Sequence, residues 1–297
     1  MSEKKDFAAL YQRGDRGGST YAIGATVARW RDQVARACIR CGATPNRLTA
    51  AGFLATAGCG VCLLFGASYR APWEAYPGAP TASSWWPVGA FAFLFLACAF
   101  DMLDGAVARI GRMASPFGGV LDSTFDRFSD CAIYLGCATH FAMVGNVTYV
   151  ALSIVAMCNT YMISYVKARA EDLIDDCSVG WWLRGERCVG LLIGTFFCHI
   201  PGLLWQQATL PALTVWRRIS YTRAELEARA KGGPPANRGP LPGWRRYLAP
   251  WRFPRGSVPY DLVAWFNIGY IIVIPWIHPF FYGRSDPLRK VLERVFT

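Results

Sequence analysis

Charged residues are scarce in this chain: they make up 17% of its 297 residues, whereas 53% of the residues are hydrophobic. An ordinary soluble domain carries about 25% charged residues, so the composition excludes that class and predicts a membrane protein. Residues 1–18 also lack the apolar run of a secretory signal, and we therefore expect no cleavable signal peptide.

Cysteine is absent from residues 69–84 and 207–257, so nothing in these connecting segments indicates an oxidised disulfide framework. Elsewhere, two CxxC pairs, at residues 38–41 and 59–62, have the spacing of a zinc ribbon. The second pair lies inside a long apolar stretch, where four metal ligands would have to meet at one depth. Cysteines of the core or of helix interfaces are therefore the favoured interpretation.

Long apolar stretches predict an all-α fold, a polytopic membrane helix bundle with about six transmembrane helices. Crossing a hydrocarbon layer of about 30 Å takes roughly 20 residues. Six stretches meet this requirement: 47–68, 85–108, 119–143, 147–168, 188–206 and 259–282. Before them, residues 20–42 mix apolar side chains with arginines, a pattern that predicts an amphipathic helix lying in the membrane interface.

The distribution of Lys and Arg predicts a cytosolic amino terminus, because residues 1–47 hold nine of them and residues 69–84 only one. Residues 207–257 conflict with this topology: they carry ten Lys and Arg, yet six alternating spans place them outside. Either 188–206 does not fully cross, or the segment is long enough to escape the charge bias, and the sequence leaves both possibilities open.

We expect four parts along the chain. They are a cytosolic amino terminus with the interfacial helix (1–46), a transmembrane core (47–206), a basic, Pro- and Gly-rich insertion containing a flexible linker (207–257), and a last transmembrane helix with a basic tail (258–297). The net charge of +11 does not predict nucleic-acid binding, because the basic residues lie at the ends of apolar helices, next to lipid headgroups and anionic substrates.

Four aspartates lie on two neighbouring predicted helices. Asp101 and Asp104 share one helix face, and Asp122 and Asp126 share a face of the next. The turn between the helices should bring the two faces together near their cytosolic ends. Four unpaired carboxylates at a membrane boundary would repel each other strongly, so we expect two divalent cations, Mg²⁺ or Mn²⁺, to neutralise them.

Acidic pairs on helices also occur at solvated helix ends and along the proton paths of transporters. The neighbouring residues favour a phosphate ligand instead. Gly105 and Ala108 remove bulk beside Asp104, and Arg109 adds a guanidinium that can donate two hydrogen bonds to a phosphate. A proton path needs none of these residues.

The spacing Asp-x2-Asp-Gly-x2-Ala-Arg-x8-Gly-x3-Asp-x3-Asp over residues 101–126 resembles, at every fixed position, the signature of the CDP-alcohol phosphotransferase family of membrane enzymes. The resemblance implies that Asp101, Asp104, Asp122 and Asp126 bind metal, and that Asp126 also accepts the proton of the acceptor hydroxyl. It implies further that the CDP group is held by Gly105, Ala108, Arg109 and Gly118, with the turn Thr44, Pro45 and Asn46 closing over the nucleotide. For Asp130, one turn further along the helix, we expect a hydrogen-bonded structural role.

Two basic segments after the fourth predicted span, 164–171 and 183–187, are similar to segments of the phosphatidylinositol-phosphate synthases within that family. The similarity implies an acceptor phosphate site built from Lys167, Arg169, Arg184 and Arg187. Gly185 and Leu183 depart from the family pattern, and we find no counterpart of its basic residue on the last helix. The same four residues could instead be positive-inside anchors of helix ends, and the sequence leaves this open.

We therefore expect an enzyme that transfers the phosphatidyl group from CDP-diacylglycerol to a phosphorylated polyol, inositol 1-phosphate first, and releases CMP. Phosphatidylglycerophosphate synthesis is the alternative within the family, and a transporter with intramembrane carboxylates is the alternative of another class. An intramembrane prenyltransferase would need an NxxxDxxxD spacing that is not evident. We also expect membrane lipids and a second copy of the chain as partners, in the cell (inner) membrane, with the active site facing the cytosol.

Overall fold

A computed structural model describes residues 19–73, 82–236, 243–244, 252–253, 257–277 and 285–296. These residues form nine α-helices and no β-sheet, which confirms the all-α prediction. The helices are α1 (Ser19–Arg40), α2 (Pro45–Gly66), α3 (Trp86–Ile110), α4 (Pro116–Met143), α5 (Val147–Glu171), α6 (Arg184–Phe196), α7 (Ile200–Ala230), α8 (Val258–Ile277) and α9 (Pro287–Phe296).

Three of the described helices, α2, α3 and α5, are long and apolar enough to cross a membrane. A shorter apolar stretch covers Val258–Val273 of α8. The structure is therefore consistent with the predicted membrane helix bundle. Helix α1 occupies the predicted amphipathic segment and buries Ala35 beside Val107 of α3, while its Trp30 is exposed. Its position in the membrane interface stays a prediction.

Helices α2 and α4 approach closely at two glycines. A β-carbon added at Gly136 would overlap the carbonyl oxygen of Gly60, and one added at Gly60 would overlap the carbonyl oxygen of Ala132. Small residues at such a crossing let two backbones touch, which is how membrane helices pack without a hydrophobic driving force. Cys59 lies buried beside this crossing, as expected of a core cysteine, and it is a free thiol.

We expect Gly136→Ala to lower the free energy of unfolding by about 1–3 kcal/mol, because the new methyl group must push two backbones apart. Thermal unfolding in detergent measures the effect. Gly119→Ala is the matched control, since it lies on the same helix and a β-carbon there meets nothing within 4 Å. Equal Tm values for the two variants would contradict the close approach.

The predicted single span 188–206 is wrong. Helix α6 ends at Phe196, Cys198 takes a left-handed backbone conformation with φ of 53°, and α7 begins at Ile200 with a proline in its first turn. Apolar composition runs through this turn without a break, whereas Pro201 just inside the next helix is the local signal of a new start. Residues 188–206 are therefore not one continuous helix, which agrees with the first of the two possibilities, that this segment does not fully cross.

Helix α7 is 31 residues long, runs through the predicted boundary at 206/207 and packs on α5. Helix α7 runs back along α6: Thr214 Oγ1 donates a hydrogen bond to the carbonyl of Trp181, and Arg218 Nε donates to Val179 O at 3.0 Å. Both acceptors precede α6. The basic end of α7, with Arg217, Arg218, Arg223 and Arg229, thus lies on the same side of the bundle as the start of α6.

Helix α8 corresponds to the predicted span 259–282, of which residues 278–282 lie outside the described part of the chain. It packs on α6 and α7, where its Ile271 carbonyl lies 2.9 Å from His199 Nδ1 and its Asn267 carbonyl accepts from Gln206 Nε2 at 3.1 Å. Asp286, just before α9, accepts from the amides of Val147 and Thr148 at the start of α5. The carboxyl-terminal helices are therefore integrated into the bundle.

Candidate active site: a carboxylate cluster at the start of helix α6

The turn between α3 and α4 brings the aspartate-bearing faces together, as the sequence predicts. Arg112 takes a left-handed conformation with φ of 54°, and Ser115 caps α4 by accepting a hydrogen bond from Gly118 N at 3.0 Å. Pro116 supplies the fixed backbone angle of the first helical turn. Helices α3 and α4 then diverge from this turn with their acidic residues facing each other.

Three of the predicted metal ligands converge. Asp101, Asp122 and Asp126 each offer a carboxylate oxygen, and these oxygens lie within 4.8 Å of one another. Asp122 Oδ1 is buried and has no hydrogen-bond partner among the described residues. An oxygen-only ligand set with an unpartnered buried carboxylate oxygen fits Mg²⁺ or Mn²⁺, which prefer such ligands.

Asp104 stands beside this cluster rather than in it. It is buried, and its Oδ2 accepts a hydrogen bond from Thr49 Oγ1 of α2 at 2.7 Å. A hydrogen bond of this kind fixes the orientation of a carboxylate and leaves its other oxygen available. The role of Asp104 as a metal ligand stays a prediction.

A cavity that is open to solvent lies beside the cluster, between α2, α3, α4 and α6. Its charged lining residues are Asp101, Asp104, Asp126, Asp130 and Arg184. Polar and apolar side chains share the rest of the wall, the apolar ones including Phe53, Leu94, Ala97, Phe125, Ile133 and Leu191. A ligand with both an anionic group and an apolar part matches this mixed lining.

The residues predicted to hold the nucleotide lie at neighbouring helix ends. A β-carbon at Gly105 would meet Arg109 Nη1 at 3.2 Å, so the guanidinium folds back over the glycine. A β-carbon at Gly118 would lie 3.6 Å from Asn46 Oδ1, which places the starts of α2 and α4 side by side. Thr44 precedes α2, Pro45 begins it, and Ala108 is half-buried on α3. Nucleotide binding by these residues stays a prediction.

The four predicted acceptor residues do not share one position. Arg184, the first residue of α6, pairs with Asp101 at 3.2 Å and also contacts Asp126. Arg187, one turn later, pairs with Asp130 at 3.6 Å, and both side chains are buried. The ion pair agrees with the structural role expected for Asp130. Of the two arginines, only Arg184 lines the cavity.

Lys167 and Arg169 lie near the end of α5 and pair with acids of their own segment. Lys167 Nζ lies 3.8 Å from Glu171, and Arg169 Nη1 lies 2.7 Å from the exposed Asp172. Neither side chain lines the cavity beside the carboxylate cluster. Their acceptor role stays a prediction, and these pairs are also what a solvated helix end would show.

A family model described as CDP-alcohol phosphatidyltransferase matches residues 43–220, which is more than half of the chain. The chain belongs to this family. The resemblance found in residues 101–126 is thereby confirmed, and the matched region runs from the turn before α2 to the basic part of α7. Helix α8 and helix α9 lie outside it.

Individual relatives of this chain are described as phosphatidylinositol phosphate synthases. The phosphatidylinositol phosphate synthase of Mycolicibacterium smegmatis is 33% identical over 201 residues, which are 64% of this chain and 82% of that protein. The crystal structure of Mycobacterium tuberculosis phosphatidylinositol phosphate synthase with CDP-DAG bound is 26% identical, has a TM-score of 0.54, and aligns over 65% of this chain and 94% of that one. Another structure of that synthase, in complex with manganese and citrate, is 25% identical with a TM-score of 0.52, over 65% and 88% of the chains.

Sequence reasoning missed two basic residues near the site, Arg218 and Arg127. Arg218 of α7 is buried and donates hydrogen bonds to the carbonyls of Val179 and Ile163, so it holds the segment before α6 against α5. Arg127 lies 4.0 Å from Asp126. The signal for Arg218 was Pro201, because a helix that starts there places residue 218 beside the fourth predicted span rather than in the 207–257 insertion.

Proposed function

We propose that this enzyme transfers the phosphatidyl group from CDP-diacylglycerol to inositol 1-phosphate and releases CMP. The observation that carries the proposal is the cluster of Asp101, Asp122 and Asp126 beside a cavity that is lined by further charged residues and by apolar side chains. The relatives support it, since their names specify phosphatidylinositol phosphate synthesis and one structure is described with CDP-DAG bound.

We assign the following roles in the reaction to residues of the chain. Asp101, Asp104, Asp122 and Asp126 would hold two divalent cations, which would stabilise the negative charge on the pyrophosphate and on the departing CMP. Asp126 would accept the proton of the acceptor hydroxyl while the hydroxyl oxygen attacks the phosphorus on the lipid side. The CDP group would lie against Gly105, Ala108, Arg109 and Gly118, under the Thr44, Pro45 and Asn46 turn.

The acceptor's phosphate would bind at Arg184, at the amino-terminal end of α6. A guanidinium can donate two parallel hydrogen bonds to a phosphate, whereas an unphosphorylated alcohol offers no anion for it. Lys167 and Arg169 would contribute charge at the rim, and Arg187 would support the site from the buried pair with Asp130. Inositol 1-phosphate and glycerol 3-phosphate both satisfy this chemistry, and the relatives' names favour the inositol compound.

The cytosolic orientation is part of the proposal. Nine Lys and Arg precede residue 48, and the reversal at residues 197–199 adds the basic end of α7 to the same side as the start of α6. We therefore place the carboxylate cluster at the cytosolic face of the cell membrane, where CDP-diacylglycerol reaches it from the lipid and the acceptor from water. Exposed apolar side chains on α2, α3 and α5 would contact lipid, and a homodimer stays a prediction.

An acceptor panel tests the proposed function. Purified protein in detergent is given CDP-diacylglycerol and Mg²⁺ with inositol 1-phosphate, glycerol 3-phosphate, free inositol or serine, and the lipid product and CMP are followed. We expect the highest kcat/KM for inositol 1-phosphate. A preference for glycerol 3-phosphate would reassign the enzyme to phosphatidylglycerophosphate synthesis, and a preference for free inositol or serine would contradict the phosphate site.

A further inference from the structure

Arg184 contacts two of the three carboxylates in the candidate metal cluster. Its Nη2 lies 3.2 Å from Asp101 on α3, and its Nη1 contacts Asp126 on α4. The guanidinium therefore bridges two helices from a third, and it does so through carboxylate oxygens of the same residues that would bind a cation. Its side chain is 30% exposed, so it is not locked into the core.

One carboxylate cluster cannot satisfy both kinds of cation in full. A divalent ion takes the oxygen lone pairs that the guanidinium uses, and it repels a guanidinium within a few ångströms of it. We propose that Arg184 competes with divalent cations for Asp101 and Asp126, and that cation binding releases Arg184 toward the phosphate of the acceptor. The proposal rests on the metal site of the proposed function and adds an order of events to it.

The local structure allows the side chain of Arg184 to move while its backbone stays fixed. Gly185 follows it, and a β-carbon there would meet nothing within 4 Å, so there is open space beside the first turn of the helix. The same helix start is anchored by two other contacts. Tyr260 of α8 donates a hydrogen bond to Glu186, and Arg187 pairs with the buried Asp130. Rotation about the side-chain bonds of Arg184 would then be enough for the guanidinium to leave Asp101 and Asp126 for the acceptor phosphate.

The competition couples the affinity for the cation to the affinity for the acceptor phosphate. A cation that displaces Arg184 makes the guanidinium available to an anion, so each ligand should raise the affinity for the other. Without Arg184 this coupling disappears. Cation binding alone then becomes stronger, because no protein cation has to be displaced from Asp101 and Asp126.

Titration with Mn²⁺ followed by electron paramagnetic resonance tests the competition without any turnover. We expect Arg184→Gln and Arg184→Ala to bind Mn²⁺ about tenfold more tightly than the unmodified protein, since a charge-assisted pair is lost. Arg184→Lys should stay close to the unmodified protein because it keeps a competing charge. The matched control is Arg223→Ala, which removes an arginine that is exposed on α7 and paired with Glu227; its Mn²⁺ affinity should not change.

A second titration measures the coupling. Inositol 1-phosphate binding is determined by calorimetry with and without Mn²⁺, in the absence of donor lipid. Mn²⁺ should strengthen binding severalfold in the unmodified protein and leave it unchanged in Arg184→Gln. Unchanged or weaker Mn²⁺ affinity in both Arg184→Gln and Arg184→Ala overturns the competition alone, whereas an unmodified protein that binds no Mn²⁺ overturns the metal site and with it the proposed function.

Discussion

Asp126→Asn should keep the affinity for CDP-diacylglycerol nearly unchanged and lower the rate of transfer by about a thousandfold, as expected when a general base is lost. Asp101, Asp104 and Asp122 remain available to cations and to the pyrophosphate, so the donor should still bind. Asparagine has the same shape but cannot accept the proton of the acceptor hydroxyl. Equilibrium binding of the donor and single-turnover CMP release measure the two quantities separately.

Asp122→Asn, Asp101→Asn and Asp104→Asn are the matched comparisons. Each removes a carboxylate that we assign to the cations alone, so donor binding and transfer should fall together, and nearly all activity should be lost. If Asp126→Asn instead lost donor binding as severely as it lost rate, Asp126 would be an ordinary ligand. Folded Asp101→Asn or Asp122→Asn proteins that release CMP at the unmodified rate would remove the metal assignment.

Arg187→Ala should lower the free energy of unfolding by about 3–5 kcal/mol, the usual cost of leaving a buried charge without its partner. The side chains of Arg187 and Asp130 are 3% and 9% exposed, and their charged groups lie 3.6 Å apart. Removing the arginine leaves the buried Asp130 carboxylate without this ion-pair partner. Thermal or denaturant unfolding in detergent measures the loss.

The double variant Arg187→Met with Asp130→Leu is the control, because replacing both charges by apolar groups should restore most of the stability. The stability of Arg187→Ala also distinguishes a structural ion pair from a direct contact with the acceptor. A folded Arg187→Ala protein of normal stability, with only a raised KM for the acceptor, would support the direct acceptor contact that the sequence predicts and contradict the structural pair.

The bounds of helices α2, α3, α4 and α5 could be predicted to within about three residues, because proline, glycine or charged residues lie close to their ends. The α6–α7 reversal could not be predicted from hydropathy, since residues 188–206 are apolar through the turn. Left-handed Cys198 carries no sequence signal, and Pro201 was the local clue. Because that turn was missed, residues 207–230 were not predicted as part of the bundle, and the contacts of Arg218 were not predicted either.

The carboxylate cluster could be predicted because it depends on local spacing. Residues three or four apart share a helix face, and one short turn joins the two faces, so Asp101, Asp122 and Asp126 had to meet. The separation of Asp104 from that group depends on a hydrogen bond from Thr49, 55 positions away. The ion pairs of Arg184 and Arg187 likewise depend on where α6 lies relative to α3 and α4. Residue spacing within one segment cannot predict that position.

Transfer of labelled acceptor phosphate into lipid tests the central claim most directly. Purified protein is incubated with CDP-diacylglycerol, Mg²⁺ and inositol 1-phosphate labelled with ³²P, and the lipid fraction and CMP are quantified. The account predicts label in the lipid in a one-to-one ratio with CMP, and no product when the divalent cation is chelated. Label that stays in water while CMP is released, or transfer that persists under chelation, would contradict it.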